Sequence, residues 1–418
     1  MKKIAFLFPG QGSQYVGMGK KLYENYTMAA EVFDEANDVL GFDLKKLCFN
    51  GDMQELTKTE NTQPAILTHS VAAFMVCMEK YGIEPMFLAG HSLGEISALT
   101  CSGAIAFRDA IRIVRSRGRF MQEAVPQGIG SMAAIGGLDK SVIEEECSKI
   151  SNENQPVVVS NYNSLDQIVI SGYASSVNAV SERLKKCGAR VVPLKVSAPF
   201  HSPLMQPAAY RLKEELGQYS YNELKLDVLS NVTALPYRGK DAVIDNLILQ
   251  IVSPVRWYEI MKYLELKGID MAIELGPQTV LRNLMKRNVK DMPVFSFDDE
   301  GDIPMLERRL SKKERMQGES TGKGLKLVKM CLATAVCTKN TNSDDKEYAK
   351  GVVEPYRKIQ KMKEELEADG CEPSAEQLKD AVEMLKSVFK TKGTDMEEQH
   401  ERFTTISKET GFQTLFEM

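Results

Sequence analysis

The stretch LAGHSLGEISAL, Leu88 to Leu99, sets a serine between two glycines, after the apolar run EPMFLA and before an apolar-periodic segment. This reads as a sharp strand-to-helix turn. With Phe87 to Gly90 ending a buried strand and Leu93 opening a helix, Ser92 occupies a tight corner with its hydroxyl pushed outward. A side chain at position 90 or 94 would clash with the crossing elements. The same corner leaves the backbone N–H of Leu93 free at a helix N-terminus, aimed at negative charge developing on an oxygen. G-x-S-x-G also fits a Gly/Ser turn with no chemistry, so the rest of the chain has to decide.

At 418 residues the chain is long enough for two or three structural units. With 43% hydrophobic residues and a net charge of −4 it lacks the basic excess of a nucleic-acid binder. The opening MKKIAFLFPGQGSQ carries an apolar run, Ile4 to Pro9, too short for a signal segment and better read as a first buried strand, which points to the cytoplasm. The 8 cysteines are scattered without a C-x-x-C pair, against both disulfides and zinc. No run reaches the roughly 18 to 20 apolar residues of a membrane span.

Up to about residue 125, short apolar runs alternate with helical patterns: KIAFLF, TQPAILTHSVAAFMVCMEKYG, PMFLAG, FRDAIRIVRSRGRFMQEAV. That alternation predicts an α/β unit with a doubly wound parallel sheet. The rhythm changes over 128–197 to β-α-β-β-α-β, a ferredoxin-like subdomain inserted in a core made of 1–127 and 198–297. Within 198–297, KLDVLSN and MAIELG read as short strands. Residues 298–325 are polar and read as a linker, and 326–418 as a helical C-terminal extension. Of the last 118 residues 43 are charged, against 67 of the first 300, and apolar residues recur there at three-to-four spacing. Amphipathic helices follow, to pack on the main domain or to dock a partner. GESTGKG is no phosphate loop: it has three residues between its glycines and no Ser/Thr after Gly-Lys.

A serine nucleophile needs a base, and the chain has 4 histidines. His69 sits in an apolar helical pattern as a packed or surface residue, and His400 in the charged tail. His91 adjoins the serine, and neighbouring side chains on such a turn diverge. That leaves His201, in VSAPFHSPLM, where the inserted unit returns to the main sheet; it is either the catalytic group or a structural histidine. FPGQGSQYVGMG lacks the third glycine of a dinucleotide fingerprint and reads instead as a turn whose backbone N–H, that of Gln11, adds a second oxyanion donor. In RIVRSRGRFMQ the four arginines form either a solvated face or, at Arg117 beside Gly118, a fork for a substrate carboxylate.

GQGSQ, GHSLGE, RGRFMQEAVP, NYNSLDQIVISG, SAPFHSPLM, PVRW and ELGP stand in order, and over about 290 residues the chain resembles the malonyl-CoA:acyl carrier protein transacylases. The resemblance implies an α/β-hydrolase-like core with a ferredoxin-like insert. It implies Ser92 as acyl-accepting nucleophile, His201 as base, and Gln11 and Leu93 as backbone oxyanion donors. Arg117 becomes the malonyl carboxylate clamp, His91 and Asn161 substrate contacts, and Gln250 the residue whose backbone carbonyl orients the histidine. It implies a ping-pong reaction through an acyl-enzyme, malonyl-CoA as donor, an acyl carrier protein or polyketide synthase carrier domain as acceptor, and no cofactor, nucleic acid or membrane.

Housekeeping fatty-acid members of that family lack a tail like 300–418, which resembles the extension of freestanding enzymes that load polyketide synthases in trans. The alternatives are a malonyl transacylase of fatty-acid synthesis, an editing hydrolase of acyl carrier proteins with the same fold, and a non-catalytic synthase scaffold. Arg117 speaks against the hydrolase, since uncharged acyl chains gain nothing from a buried cation.

Overall fold

A computed structural model describes residues 2–194, 196–310, 323–369, 372–412 and 415. The chain divides into two compact units, Met1–Leu306 and Glu307–Met418. Among the described residues no helix is long and apolar enough to cross a membrane.

The first unit is built on a parallel sheet of β1 (Ile4–Phe8), β2 (Phe87–Gly90), β7 (Val228–Leu229), β8 (Met271–Glu274) and β9 (Val294–Ser296), in the order β7-β2-β1-β8-β9. β1, IAFLF, is buried at every position because alternate side chains meet different layers. Ala5 and Leu7 join Trp257, Ile260 and Leu281 on one face. Phe6 and Phe8 meet Phe74 of helix Thr59–Tyr81 on the other, with ring centroids 6.0 and 6.4 Å apart. Burying each such side chain contributes roughly 1.5–3 kcal/mol. The loops after β1 and β2, which hold Gln11 and Ser92, leave the carboxyl end of the sheet, where such folds place ligands. The three-residue β9 had no counterpart among the expected strands.

The inserted subdomain contains β3 (Gly130–Gly136), β4 (Val157–Ser164), β5 (Gln167–Tyr173) and β6 (Arg190–Pro193), an antiparallel sheet in the order β4-β5-β3-β6. Helices Lys140–Ile150 and Ala174–Lys186 pack Ile143, Val177, Val180 and Leu184 onto it. This is the β-α-β-β-α-β order of a ferredoxin-like fold. β4 is tied to the main body where Tyr162 N–H donates to Val255 O and Val255 N–H to Ser160 O, both at 2.9 Å.

The reading of 298–325 as a linker needs correcting. Its acids fold back onto the first unit: Arg282 pairs with Asp299 and Asp302, Asp302 accepts from Ser296 N–H at 2.8 Å, and a helix runs from Ile303 to Leu310. The charge density that suggested solvent reflects partners lying about twenty residues earlier. A helix beginning at Lys323 takes the other end of the same stretch. Residues 311–322, with most of GESTGKG, and Cys371 lie outside the described residues.

The second unit is helical, with Lys323–Cys337, Asp345–Tyr348, Glu354–Asp369, Ala375–Lys392 and Met396–Thr410, and one π-helical turn at Ala349–Val353. Leu327, Cys331, Leu385, Phe389, Phe403 and Ile406 form its core. Helix Ala375–Lys392 opens on a capping box between Ser374 and Gln377, and Asp395 caps the last helix through Glu398 N–H.

Candidate active site

Ser92 sits at φ 53°, ψ −105°, between β2 and helix Leu93–Cys101. The flanking glycines are a steric requirement. A Cβ at Gly90 would lie 1.9 Å from the Gly94 carbonyl carbon, and one at Gly94 would lie 2.0 Å from the Phe8 carbonyl oxygen. The corner is pinned from the far side by Asn231, whose Oδ1 accepts from Ser92 N–H at 2.7 Å and whose Nδ2 donates to Gly90 O at 2.6 Å. Strain at a non-glycine residue with positive φ persists only where surroundings over-determine it.

His201, also at positive φ (55°), comes to the serine from the loop that returns from the inserted subdomain. Its Nε2 is 2.7 Å from Ser92 Oγ, and its Nδ1 is 2.8 Å from the backbone oxygen of Gln250. A carbonyl only accepts, so Nδ1 carries the proton and Nε2 turns its lone pair to the hydroxyl. Burial, with the nearby Arg117 cation, holds the imidazole down at about 3, so it is neutral near pH 7.

Arg117, on helix Phe107–Glu123, is 2% exposed, not part of a solvated face. Gly118 lets that helix close on the next, since a Cβ there would lie 2.6 Å from Thr59 O. The guanidinium donates to Gln63 Oε1 at 2.9 Å, Gln250 Oε1 at 2.9 Å and Ser92 Oγ at 3.1 Å. All three acceptors are neutral oxygens. Among the described residues no carboxylate forms an ion pair with it, and burial lowers it to about 10.

These groups line one cleft of about 430 Å³, which also takes in Gln11, Leu93, His91 and Asn161. Among the described residues neither Gln11 N–H nor Leu93 N–H has a hydrogen-bond partner, which leaves both free to donate into it. His91 turns away from the serine to Asn163 Oδ1 at 2.9 Å and packs on Trp257, with ring centroids 5.7 Å apart. Asn161 is buried, and its Oδ1 accepts from Ser160 Oγ at 2.8 Å. His69 is buried 3.5 Å from Asp298, and His400 is exposed on the last helix.

Sequence reasoning missed Gln63, Glu95, Asn163 and Asn231. Glu95 had a visible signal, a charge in the otherwise apolar run LGEISAL. The others had none, because their roles come from contacts across the fold.

The geometry agrees with what comparisons find. A family model described as acyl transferase domain matches residues 5–317. A malonyl CoA-acyl carrier protein transacylase of Bacillus subtilis is 40% identical over 392 residues, 94% of this chain and 97% of that protein. Another of that description, from Bacillus subtilis strain 168, is 46% identical over 314 residues, 75% of this chain and 99% of its own. A solved structure described as a holo type II PKS acyl-carrier protein in complex with its malonyl-transacylase is 41% identical, with a TM-score of 0.71, over 73% of this chain and 99% of that one. With its sheet, its serine corner and its clustered histidine and arginine, the chain belongs to the acyl transferase family, as an acyltransferase among the malonyl-CoA:acyl carrier protein transacylases.

Proposed function

We propose that the chain moves malonyl from malonyl-CoA to the phosphopantetheine thiol of an acyl carrier protein, through an acyl-enzyme on Ser92. The observation that carries this is the convergence on Ser92 Oγ of His201 Nε2 at 2.7 Å and an Arg117 nitrogen at 3.1 Å. In the first half-reaction the Oγ proton passes to His201 Nε2 while Oγ bonds to the thioester carbon. The oxyanion takes hydrogen bonds from Gln11 N–H and Leu93 N–H, each such donor contributing about 3 kcal/mol of transition-state stabilisation. The C–S bond then breaks and Nε2 returns the proton to the sulfur of coenzyme A. A carrier thiol reverses these steps.

The Gln250 carbonyl holds the tautomer whose Nε2 lone pair faces the Ser92 hydroxyl. Arg117 selects the acyl group, because an acetyl group leaves its buried donors without a carboxylate, a penalty of about 1–3 kcal/mol. His91 and Asn161 line the substrate channel. All of this chemistry is carried by the chain's own side chains and backbone, in a cytoplasmic enzyme. The narrower reading is a loader of polyketide synthase carrier domains in trans. It is supported by the neighbouring structure described as a malonyl-transacylase in complex with a type II PKS acyl-carrier protein, while the relative that matches over 94% of the chain shows only that such a tail recurs among malonyl CoA-acyl carrier protein transacylases.

Intact-protein mass spectrometry after brief incubation with malonyl-CoA or acetyl-CoA tests the reading. A single malonyl adduct on the native chain, absent in Ser92→Ala, with acetyl labelling weak until Arg117→Ala, is the expected result. Coenzyme A release without transfer to any carrier would overturn it in favour of a hydrolase. Offering fatty-acid and polyketide carriers side by side tests the narrower reading, which indifference between them would sink.

A further inference from the structure

Behind the serine corner lies an acid that the proposed mechanism leaves unused. Glu95, in the first turn of helix Leu93–Cys101, is 0% exposed. Its Oε2 accepts from Gln250 Nε2 at 2.5 Å and from Asn231 N–H at 3.1 Å, and its Oε1 accepts from Tyr237 OH at 2.5 Å. The two groups it holds are those that hold the site. Asn231 pins Ser92, while Gln250 presents its amide oxygen to Arg117, its amide nitrogen to Ser92 O at 3.0 Å and its backbone oxygen to His201. An amide has two possible orientations. A carboxylate facing the Gln250 nitrogen allows only the one that turns Oε1 to Arg117.

We infer that Glu95 is a specificity-determining positioning residue: through the Gln250 amide it serves as the counter-charge of Arg117 in the empty site, and it takes up a proton when the malonyl carboxylate arrives. The inference rests on the reading of Arg117 as the malonyl clamp. A buried guanidinium with only neutral acceptors needs negative charge nearby, and Glu95 is the acid whose field reaches it. A second carboxylate brought to the same cation in a dry site repels the first. Burial already raises the Glu95 carboxyl to about 7, so it yields its charge with little work.

The network accommodates the extra proton. Placed on Oε1 it donates to the Tyr237 oxygen, and Oε2 remains an acceptor for Gln250 and Asn231. By linkage, a site that gains a proton with its ligand binds that ligand less tightly as pH rises. The other ionisable groups of the cluster are shifted in their own directions. His201 from its loop and His91 from the end of β2 are held low, Arg117 from its helix titrates at about 10, and Tyr237 and, on the acid's own helix, Cys101 are pushed well above their ordinary values.

Calorimetric titration of the full chain carrying Ser92→Ala, which binds donor without being acylated, tests this in two buffers of different ionisation enthalpy. Malonyl-CoA should bind with uptake of a substantial fraction of a proton near pH 7, and about fivefold less tightly at pH 8.5 than at pH 6. Acetyl-CoA shares the coenzyme A phosphates and cancels their contribution. Adding Glu95→Gln, which keeps an acceptor toward Gln250 and Asn231 and a donor toward Tyr237, should abolish both effects. Adding Tyr237→Phe instead should move the pH of maximal uptake upward, because it removes a bond that favours the carboxylate. Equal uptake with both donors, or uptake that survives Glu95→Gln, would overturn the inference. Malonyl-CoA binding that is indifferent to Arg117→Ala would overturn the clamp itself. A clamp that holds without proton uptake removes only the role of Glu95.

Discussion

The two units bury charge to different ends. In the acyltransferase unit Glu95, Arg117 and His201 are buried, and they are joined through neutral groups, the Ser92 hydroxyl and the amide and backbone oxygen of Gln250. In the helical unit the buried charged residue, among those described, is Lys392, and its Nζ donates to the backbone carbonyls of Ala335 and Thr338, each at 2.9 Å. Those carbonyls lie at the C-terminal end of helix Lys323–Cys337, where helices carry unpaired acceptors and partial negative charge. The difference separates chemistry from architecture. A buried ion bonded to carbonyls that have no other occupant is a fastener, whereas one bonded to neutral oxygens that a ligand's charge can replace is a site.

The contrast is broken most severely at the corner itself. Gly94→Ala puts a Cβ 2.0 Å from a backbone oxygen of β1, which no side-chain rotation relieves. Either the elbow or the strand must move, and displacement of a nucleophile by about 1 Å costs on the order of 100-fold in rate. We expect malonyl transfer to fall at least that far while the helical unit keeps its helices, read by acylation kinetics and circular dichroism. Transfer within tenfold of the native rate would show that the glycines around Ser92 are not what aims it.

A smaller effect sharpens the electrostatic side. An imidazole at its ordinary value of 6.5 would be mostly protonated at pH 5 and lose about 30-fold as a base. His201, held at about 3 by burial and Arg117, stays neutral there. The acylation rate at saturating malonyl-CoA should therefore show no such loss between pH 8 and pH 5. Stability has its own sign. The unfolded chain binds the proton that the fold refuses, so the contribution of His201 is complete above 6.5 and shrinks as pH falls toward 3. A rate that halves near pH 6.5 would mean that the base is not shielded as its burial demands.

What was legible in the chain follows the same division. The Ser92 corner was legible because its requirement is local, two glycines and a serine within five residues. The helices of the tail were legible from periodicity, as was the β-α-β-β-α-β insert. Asn231 and Gln63 were not, and Glu95 showed only as a charge in an apolar run, since their meaning lies in contacts between residues 54 to 155 apart in sequence. The acids at 298–302 were misread for the same reason, and Lys392 is one lysine among many in a charged segment until the fold shows what it touches.

Lys392 is therefore where the comparison is tested most finely. Lys392→Met keeps the length and apolar stem of the side chain and removes the ammonium, leaving the Ala335 and Thr338 carbonyls without their donor. The loss of two charge-assisted hydrogen bonds in a buried position should destabilise the helical unit by about 1–3 kcal/mol. It should also raise amide exchange in the last turn of helix Lys323–Cys337 and at Thr341, whose N–H and hydroxyl both donate to the Lys392 carbonyl. Malonyl transfer to a carrier should stay within about twofold of the native rate, the scale of a change that touches no reacting group. If instead transfer falls while thermal unfolding and amide exchange hold, the buried lysine is no fastener, and the helical unit takes part in receiving the acceptor.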